Sequence, residues 1–439
     1  MNTLIPPPHL PRGCESRCTG CQHHALDSSA SLNTKNAWIS KVLAPWKEVM
    51  EPVQPAPLGR QWGYRQKTLL HAHWNHQGHW DFGLLAKRLI PDQTKGTRKK
   101  LREFEVIPIH ECPIHSERIS QALQFFSKNL PPADEFPLRF ISFSGSLLTW
   151  VLKANKIPNQ LPELNATAFR DFGIRGIWIN LNPCAGERVT WSKGWRHIWG
   201  QKWGEHHGLK HGPSSFQQLI PELHQDSLRR TAQFFSDSPE TLFHIGLTAL
   251  PSEEPQRREI HRTNPTPCSE TGHLTPSFLS CMGSSPPESF DAIVDLYSGL
   301  GRSIQVWESI TPHLCAVELS GEAVGFLREN TSCSHVFQGK TQERLPQVSS
   351  WLASTPHRHT FIYANPPRLG FDPMTLDWII QNPRVKKVAY LSCSPGTLKR
   401  DLTVLVQNGQ FQVTRIIPYD FFPKTHHFET LALLERKSL

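Results

Sequence analysis

Apolar residues recur along this chain in two different rhythms. In the C-terminal part, short apolar runs are spaced along the sequence at Ala292–Tyr297, Leu314–Glu318, Thr360–Ala364, Val388–Ser392, Gln412–Pro418 and Thr430–Leu434. Helical stretches lie between most of them. This alternation predicts a mainly parallel sheet with helices on both faces, a doubly wound α/β domain. Ligands of such sheets bind at the carboxyl ends of strands, at the switch point of the strand order.

The first half reads differently. Trp38–Val49 predicts a short helix. Trp62–Ala86 is β-rich and broken by turn residues. Cys112 opens a second helix over Pro113–Leu130. Strand-like composition follows near Leu138–Ser144, Leu147–Leu152, Gly176–Leu181 and Arg188–Trp191. The expectation is an α+β domain with an antiparallel sheet. Pro221–Phe235 has helical apolar spacing, and the segment from about 239 to 289, dense in Pro, Ser and Thr, reads as a flexible insertion.

Composition narrows the class. At 439 residues the chain suits two or three domains. Its 37 Pro and 27 Gly argue against a helical bundle or coiled coil. A 38% hydrophobic content with 14 Trp and 23 Phe is enough for a core. No run approaches the roughly 18 apolar residues of a membrane span, and the opening residues lack the apolar stretch of a signal peptide. A soluble cytoplasmic protein, with no membrane partner, is the expectation. The net charge of +9 suits a polyanionic partner without requiring one.

Chemistry concentrates at three places. Asp295-Leu-Tyr-Ser-Gly-Leu-Gly301 follows the first apolar run, and Gly299 and Gly301 allow a tight turn with close backbone approach to a ligand. The next run ends in Glu318, placed where a carboxylate can hold the ribose hydroxyls of an adenosine cofactor. Position 304 is Ile, so the third glycine of the NAD fingerprint is missing. An acidic residue just before the turn fits a methionine sulfonium better than a pyrophosphate. Asn365-Pro-Pro-Arg-Leu-Gly370 closes another run. Cys393 lies at a strand end before a helix start, a setting expected to expose a thiol and lower its pKa. Glu429 precedes the final apolar run.

Together these segments resemble the RNA uracil-5-methyltransferase family, and most closely its bacterial 23S rRNA members that carry an iron–sulfur cluster. The carriers are Asp295–Gly301, Asn365–Arg368, Ser392-Cys393-Ser394-Pro395 and His427-Phe428-Glu429, in the family's order and spacing over about 220 residues. Upstream, Ser214-Ser-Phe-Gln-Gln218-Leu-Ile-Pro221 resembles a segment whose Gln touches the cofactor. The chain departs from the pattern at Gln217, Ile220, Ser298, Arg302 and Ser394. The resemblance implies S-adenosylmethionine as methyl donor, held by Gln218, Tyr297, Gly299, Gly301, Glu318 and Asn365. It implies Cys393 as nucleophile and Glu429 as base. A thiolate adding to C6 of uracil makes C5 nucleophilic toward the sulfonium methyl. A base must then remove the C5 proton, and the target base must leave its stack.

Cys14-x3-Cys18-x2-Cys21 is a metal-ligand spacing in its own right. By the resemblance, Cys112 completes a four-thiolate set for a 4Fe-4S cluster. A Cys3His zinc site through His23 or His24 is an alternative. Radical S-adenosylmethionine chemistry is a weaker one, since Gly20 replaces the usual aromatic before the third cysteine. Lys95–Arg102, Arg65, Lys67 and the Trp-rich surface are expected to grip RNA. The reading is thus a monomer with an iron–sulfur, RNA-binding α+β domain over 1–213 and a Rossmann-like methyltransferase domain over 214–439. It would act on 23S rRNA. A tRNA uracil-5-methyltransferase and an RNA-binding relative without catalysis are the alternatives.

Overall fold

The computed structural model describes residues 10–87, 104–163, 166–186, 188–236, 290–407 and 409–437. The insertion expected over 239–289 and the basic run Lys95–Arg102 lie outside the described residues.

The first of two seven-stranded sheets contains β1 (Lys67–Trp74), β2 (Trp80–Lys87), β3 (Phe104–Pro108), β4 (Leu138–Ser144), β5 (Leu147–Leu152), β6 (Gly176–Leu181) and β7 (Trp195–Gly200), in the order β3-β2-β1-β4-β5-β6-β7. Its pairs are antiparallel except β5–β6, which run parallel. The helix α2 (Glu117–Asn129) carries Ile119, Ala122, Leu123 and Phe126 on one stripe. That spacing puts all four on the face that packs against Trp80, Phe82, Phe136 and Trp150. Phe126 meets Trp150 edge-on at 5.9 Å between ring centroids. Truncating a buried aromatic such as Trp150 costs about 3–5 kcal/mol.

The strand expected at Arg188–Trp191 does not form; the edge strand is β7. Side-chain amides capture the expected segment instead. Asn180 Nδ2 donates to Trp191 O at 2.9 Å, and its Oδ1 accepts from Trp191 N at 2.9 Å. Asn182 Nδ2 donates to Arg188 O at 2.6 Å. These bonds satisfy the backbone groups that a ladder would have used.

The second sheet contains β10 (Ala292–Leu296), β11 (Leu314–Glu318), β12 (His335–Gln338), β13 (Thr360–Ala364), β14 (Val385–Ser392), β15 (Phe411–Tyr419) and β16 (Glu429–Arg436). A short hairpin, β8 (Gly204–His206) and β9 (Leu209–His211), precedes it. The order is β12-β11-β10-β13-β14-β16-β15, with only β16 antiparallel to its neighbours. Every residue of β10 and β13 is buried, so both strands read as continuous apolar runs rather than alternating ones. Helices α4 (Pro221–Phe235), α5 (Arg302–Trp307), α6 (Gly321–Asn330), α7 (Thr341–Ser354), α8 (Pro373–Gln381) and α9 (Pro395–Gln407) belong to this half. The chain leaves β10 toward β11 on one side and later returns to β13 on the other, which opens a crevice at their carboxyl ends.

The N-terminal helix α1 (Ser28–Val42) starts ten residues before the position expected for it. Asp27 caps it, accepting from Ala30 N at 2.7 Å. Its first turns are polar, so no apolar period marked them. Ile39, Leu43 and Val53 pack into the core of the second sheet. The chain then runs beside β15 through bridges Met50–Ile416 and Gln54–Tyr419.

Candidate active site

Three alternate residues shape the loop after β10. Tyr297, Gly299 and Gly301 all take positive φ, at 62°, 56° and 88°. For Tyr297 this is a strained conformation, of the kind that concentrates at ligand sites. At Gly301 a Cβ would stand 2.6 Å from Thr331 Cγ2, whereas one at Gly299 would meet nothing within 4 Å. Gly299 therefore faces open space. Glu318, at the end of β11, accepts from Gly299 N at 2.9 Å and from Ser320 N at 2.7 Å. Two backbone donors fix the carboxylate and leave lone pairs for a ligand. Asn365 follows β13, and its N–H reaches Leu296 O at 3.4 Å. Tyr297, Glu318 and Asn365 thus stand at the carboxyl ends of three adjacent strands.

Asp295 does not face this crevice. It is fully buried behind the loop and accepts from Trp307 Nε1 at 2.8 Å. Burial pushes its carboxyl up to about 7. This carboxylate thus braces the loop from the core side.

A second group converges beside the crevice. Ser392 pairs with Thr430 in the β14–β16 ladder, so Cys393 and Glu429 continue that register as neighbours. Glu429 is almost wholly buried and accepts from Gln218 Nε2 at 3.1 Å. Burial raises its carboxyl to about 7, with the Gln218 bond working in the opposite direction. A base titrating near neutrality is matched to proton abstraction. Gln218, expected at the cofactor, thus reaches Glu429.

Cys393 is half-buried, just before α9. Its thiol is pushed up by burial and then by the charge of Glu429, while the guanidinium of Arg368 pulls it down. The helix start does not set the direction, contrary to the sequence expectation, because burial and the neighbouring carboxylate outweigh it. Arg368 was missed as a site residue although it closes the Asn365–Arg368 motif. Thr397 Oγ1 donates to Arg368 O at 2.9 Å and contacts Ser394 Oγ at 2.9 Å, which links the two loops.

The turn before Glu429 is held from the N-terminal side. Lys35 and Asp420 form a buried ion pair. Lys35 Nζ also donates to Phe422 O at 3.1 Å and His427 O at 2.9 Å. Tyr64 Oη donates to Pro423 O at 3.0 Å. His23 N donates to Lys424 O at 3.0 Å.

Cys14, Cys18, Cys21 and Cys112 line one pocket. Gly13, at φ 78°, lets the cysteine segment press on the loop before Cys112; a Cβ there would lie 2.2 Å from Glu111 O. Burial, followed by the charges of Cys112 and Cys18, pushes Cys21 up to about 12. Cys14 and Cys112 are raised as well, burial first. His23 turns away to bond Ser31 Oγ at 2.9 Å, and His24 Nδ1 meets Cys21 O. Among the described residues no three His, Cys, Asp or Glu side chains are arranged to hold a single metal ion. The four cysteines that line the pocket offer soft sulfur donors, the type that iron–sulfur clusters take.

Comparison with known proteins extends this geometry. A family model described as tRNA (Uracil-5-)-methyltransferase matches residues 343–437, the stretch that contains Arg368, Cys393 and Glu429. An uncharacterized RNA methyltransferase of Parasynechococcus marenigrum is 30% identical over 96% of this chain and 81% of its own. One from Chlamydia trachomatis is 24% identical over 96% of this chain and 97% of its own. Matches to relatives from Prochlorococcus marinus and Listeria innocua span 34% and 32% of those proteins, about a third of their length. The crystal structure of Pyrococcus abyssi tRNA (uracil-54, C5)-methyltransferase with S-adenosyl-L-homocysteine superposes with a TM-score of 0.59 at 16% identity, over 96% of this chain and 86% of that one. It shares the fold. By the end-to-end match and by the residues under the family model, the chain belongs to the RNA uracil-5-methyltransferase family.

Proposed function

We propose that this protein methylates C5 of a uridine in RNA, with S-adenosylmethionine as donor, through a covalent bond between Cys393 and the base. The observation that carries the reading is the pairing of a thiol and a near-neutral carboxyl at Cys393 and Glu429 beside the glycine-turn crevice. Bound S-adenosylmethionine would supply an electrophilic methyl group; Tyr297, Gly299, Gly301, Glu318 and Asn365 would hold it. The Cys393 thiolate, favoured by Arg368, forms a bond to C6 and pushes electron density to C5. C5 takes the methyl group as the bond between that methyl and the donor sulfur breaks and leaves its electron pair on sulfur. Glu429 then removes the C5 proton, the C6–S bond breaks, and its electron pair returns to sulfur. Gln218 orients the carboxylate for that step.

Cys14, Cys18, Cys21 and Cys112 would hold a 4Fe-4S cluster, whose charge would relieve the repulsion among four half-buried thiolates. The enzyme is read as a cytoplasmic monomer acting on 23S rRNA, because the four-thiol pocket is the feature by which the chain resembles the rRNA members. A tRNA substrate is the second reading, supported by the matching family model and the Pyrococcus abyssi enzyme, both of which are named for tRNA.

The test is RNA containing 5-fluorouridine, which cannot release its C5 substituent as a proton. A denaturation-resistant, nuclease-sensitive protein–RNA adduct is expected with the wild type and absent from Cys393→Ala. An adduct that survives in Cys393→Ala overturns the nucleophile. Mapping 5-methyluridine in rRNA and tRNA of a deletion strain decides the substrate.

A further inference from the structure

An open cleft of about 470 Å³ lies where β6 begins and β7 ends. It is lined by Arg170, Arg175, Trp199, Gly200 and Gln201. This volume is in the range of pockets that take small organic ligands. Arg170 comes from helix α3 (Ala166–Asp171), and Arg175 from the turn that follows. Both arginines are exposed, and Trp199 is half-buried. Among the described residues neither guanidinium has an ion-pair or hydrogen-bond partner, and the adjacent carboxylate of Asp171 pairs with neither.

The floor of the cleft is rigid. Gly176 and Gly200 face each other across the β6–β7 pair. A Cβ at Gly176 would lie 2.0 Å from Gln201 O, and one at Gly200, at φ 71°, would lie 2.1 Å from Arg175 O. Only glycine allows this approach. Beneath the turn, the largely buried Arg118 donates to Gly145 O at 2.8 Å and Gly173 O at 3.3 Å. Trp199 packs edge-on against Phe169 at 5.6 Å, which fixes its indole.

Neighbouring contacts lead from the cleft toward Gln218 and Glu429. Arg175 N donates to Ser146 O at 2.8 Å. A Cβ on the preceding Gly145 would stand 3.8 Å from Gln217 Nε2, and the next residue, Gln218, bonds the base Glu429. The cleft therefore lies on the side of the first domain that meets the catalytic residues.

Two exposed guanidiniums in one cleft with an indole match the chemistry of a nucleotide. Arginine forks pair with phosphate oxygens, and an aromatic ring stacks with any base. We infer that this cleft is a subsite for an unpaired nucleotide of the substrate RNA that flanks the modified uridine, with Arg170 and Arg175 on its phosphates and Trp199 against its base. The inference rests on the reading of the protein as an RNA-acting enzyme.

The test uses the full-length protein without methyl donor and fluorescein-labelled decauridylate, titrated from low to moderate salt. Arg170→Gln/Arg175→Gln should bind about tenfold more weakly, and its slope of log affinity against log salt should be shallower by about 1.4, for two lost phosphate contacts at ~0.7 each. Both side chains are exposed, so the melting temperature should not change. A decauridylate bearing 5-iodouridine should photocrosslink to the peptide containing Trp199. Unchanged affinity and slope, a crosslink confined to other peptides, or no binding by the wild type overturns the subsite. If the fluorouridine adduct forms while affinity and slope are unchanged, the subsite fails and the methyltransferase reading stands. If the slope falls but no adduct forms, the subsite stands and the chemistry fails.

Discussion

The amide of Gln218 donates to the carboxylate of Glu429 across 3.1 Å, joining the segment before α4 to the first residue of β16. The bond stabilises the ionised base against the burial that pushes its pKa up to about 7. Without it, burial acts unopposed and the pKa rises further. Gln218→Leu should therefore move the basic requirement of turnover to higher pH. A hydrogen bond to a charged group is worth about 1.5–3 kcal/mol, so the loss at pH 7 should be about tenfold or more and should shrink toward pH 9. A pH–rate profile checks this; a loss that is uniform with pH would contradict it.

Glu429 also links stability to pH. Its folded pKa lies above the usual 4.5, so between pH 4.5 and 7 the folded state holds more protons than the unfolded chain. This contribution is full below 4.5 and is lost as pH rises through 7. Glu429→Gln should be inactive and should melt several degrees above the wild type at pH 8. That advantage should fade toward pH 5. Melting curves across the range test the sign.

Arg368 is the group that pulls the Cys393 thiol down against burial and Glu429. Arg368→Met should slow adduct formation with fluorinated RNA at pH 7, by about tenfold for each unit by which the thiol rises, and the rate should recover as pH is raised. Rapid-quench measurement of adduct formation separates this from a general loss of RNA binding, which would not recover.

The Lys35–Asp420 pair is buried on both sides. Lys35→Met strands a carboxylate in the interior and should cost about 3–5 kcal/mol. Lys35→Met/Asp420→Asn removes both charges and should recover much of that. Urea unfolding of the two variants measures the difference.

Protein purified without oxygen should be brown, with broad visible absorption from thiolate-bound iron. Cys112→Ser should retain less iron. Colourless protein holding one zinc per chain would contradict the cluster.

The second sheet was legible because its central strands are buried on both faces and read as unbroken apolar runs. The edge strand β12, half exposed over four residues, gave no such run. The displaced strand near Arg188 could not be foreseen, since the capture of Trp191 by Asn180 depends on a fold already formed. At the site, local motifs carried Cys393 and Glu429. The direction of the thiol's pKa was not readable, because it depends on burial and on two charged groups brought from other loops. The partner of Gln218 lies 211 residues away, beyond any local pattern. The Arg170–Arg175–Trp199 cleft had no sequence signal, since its residues come from a helix, a turn and a strand.

The place of β16 bears on the order in which the protein is made. This strand follows all the others described, yet it inserts between β14 and β15. Lys35, made early, finds Asp420 only 385 residues later. Every other described strand has therefore been made before the thiol acquires its neighbouring carboxylate. Contacts of such separation form late, and a nascent chain short of Glu429 carries Cys393 without the group that completes its cycle. The thiol and its neighbouring carboxylate therefore share one late event, the insertion of β16 between strands made before it.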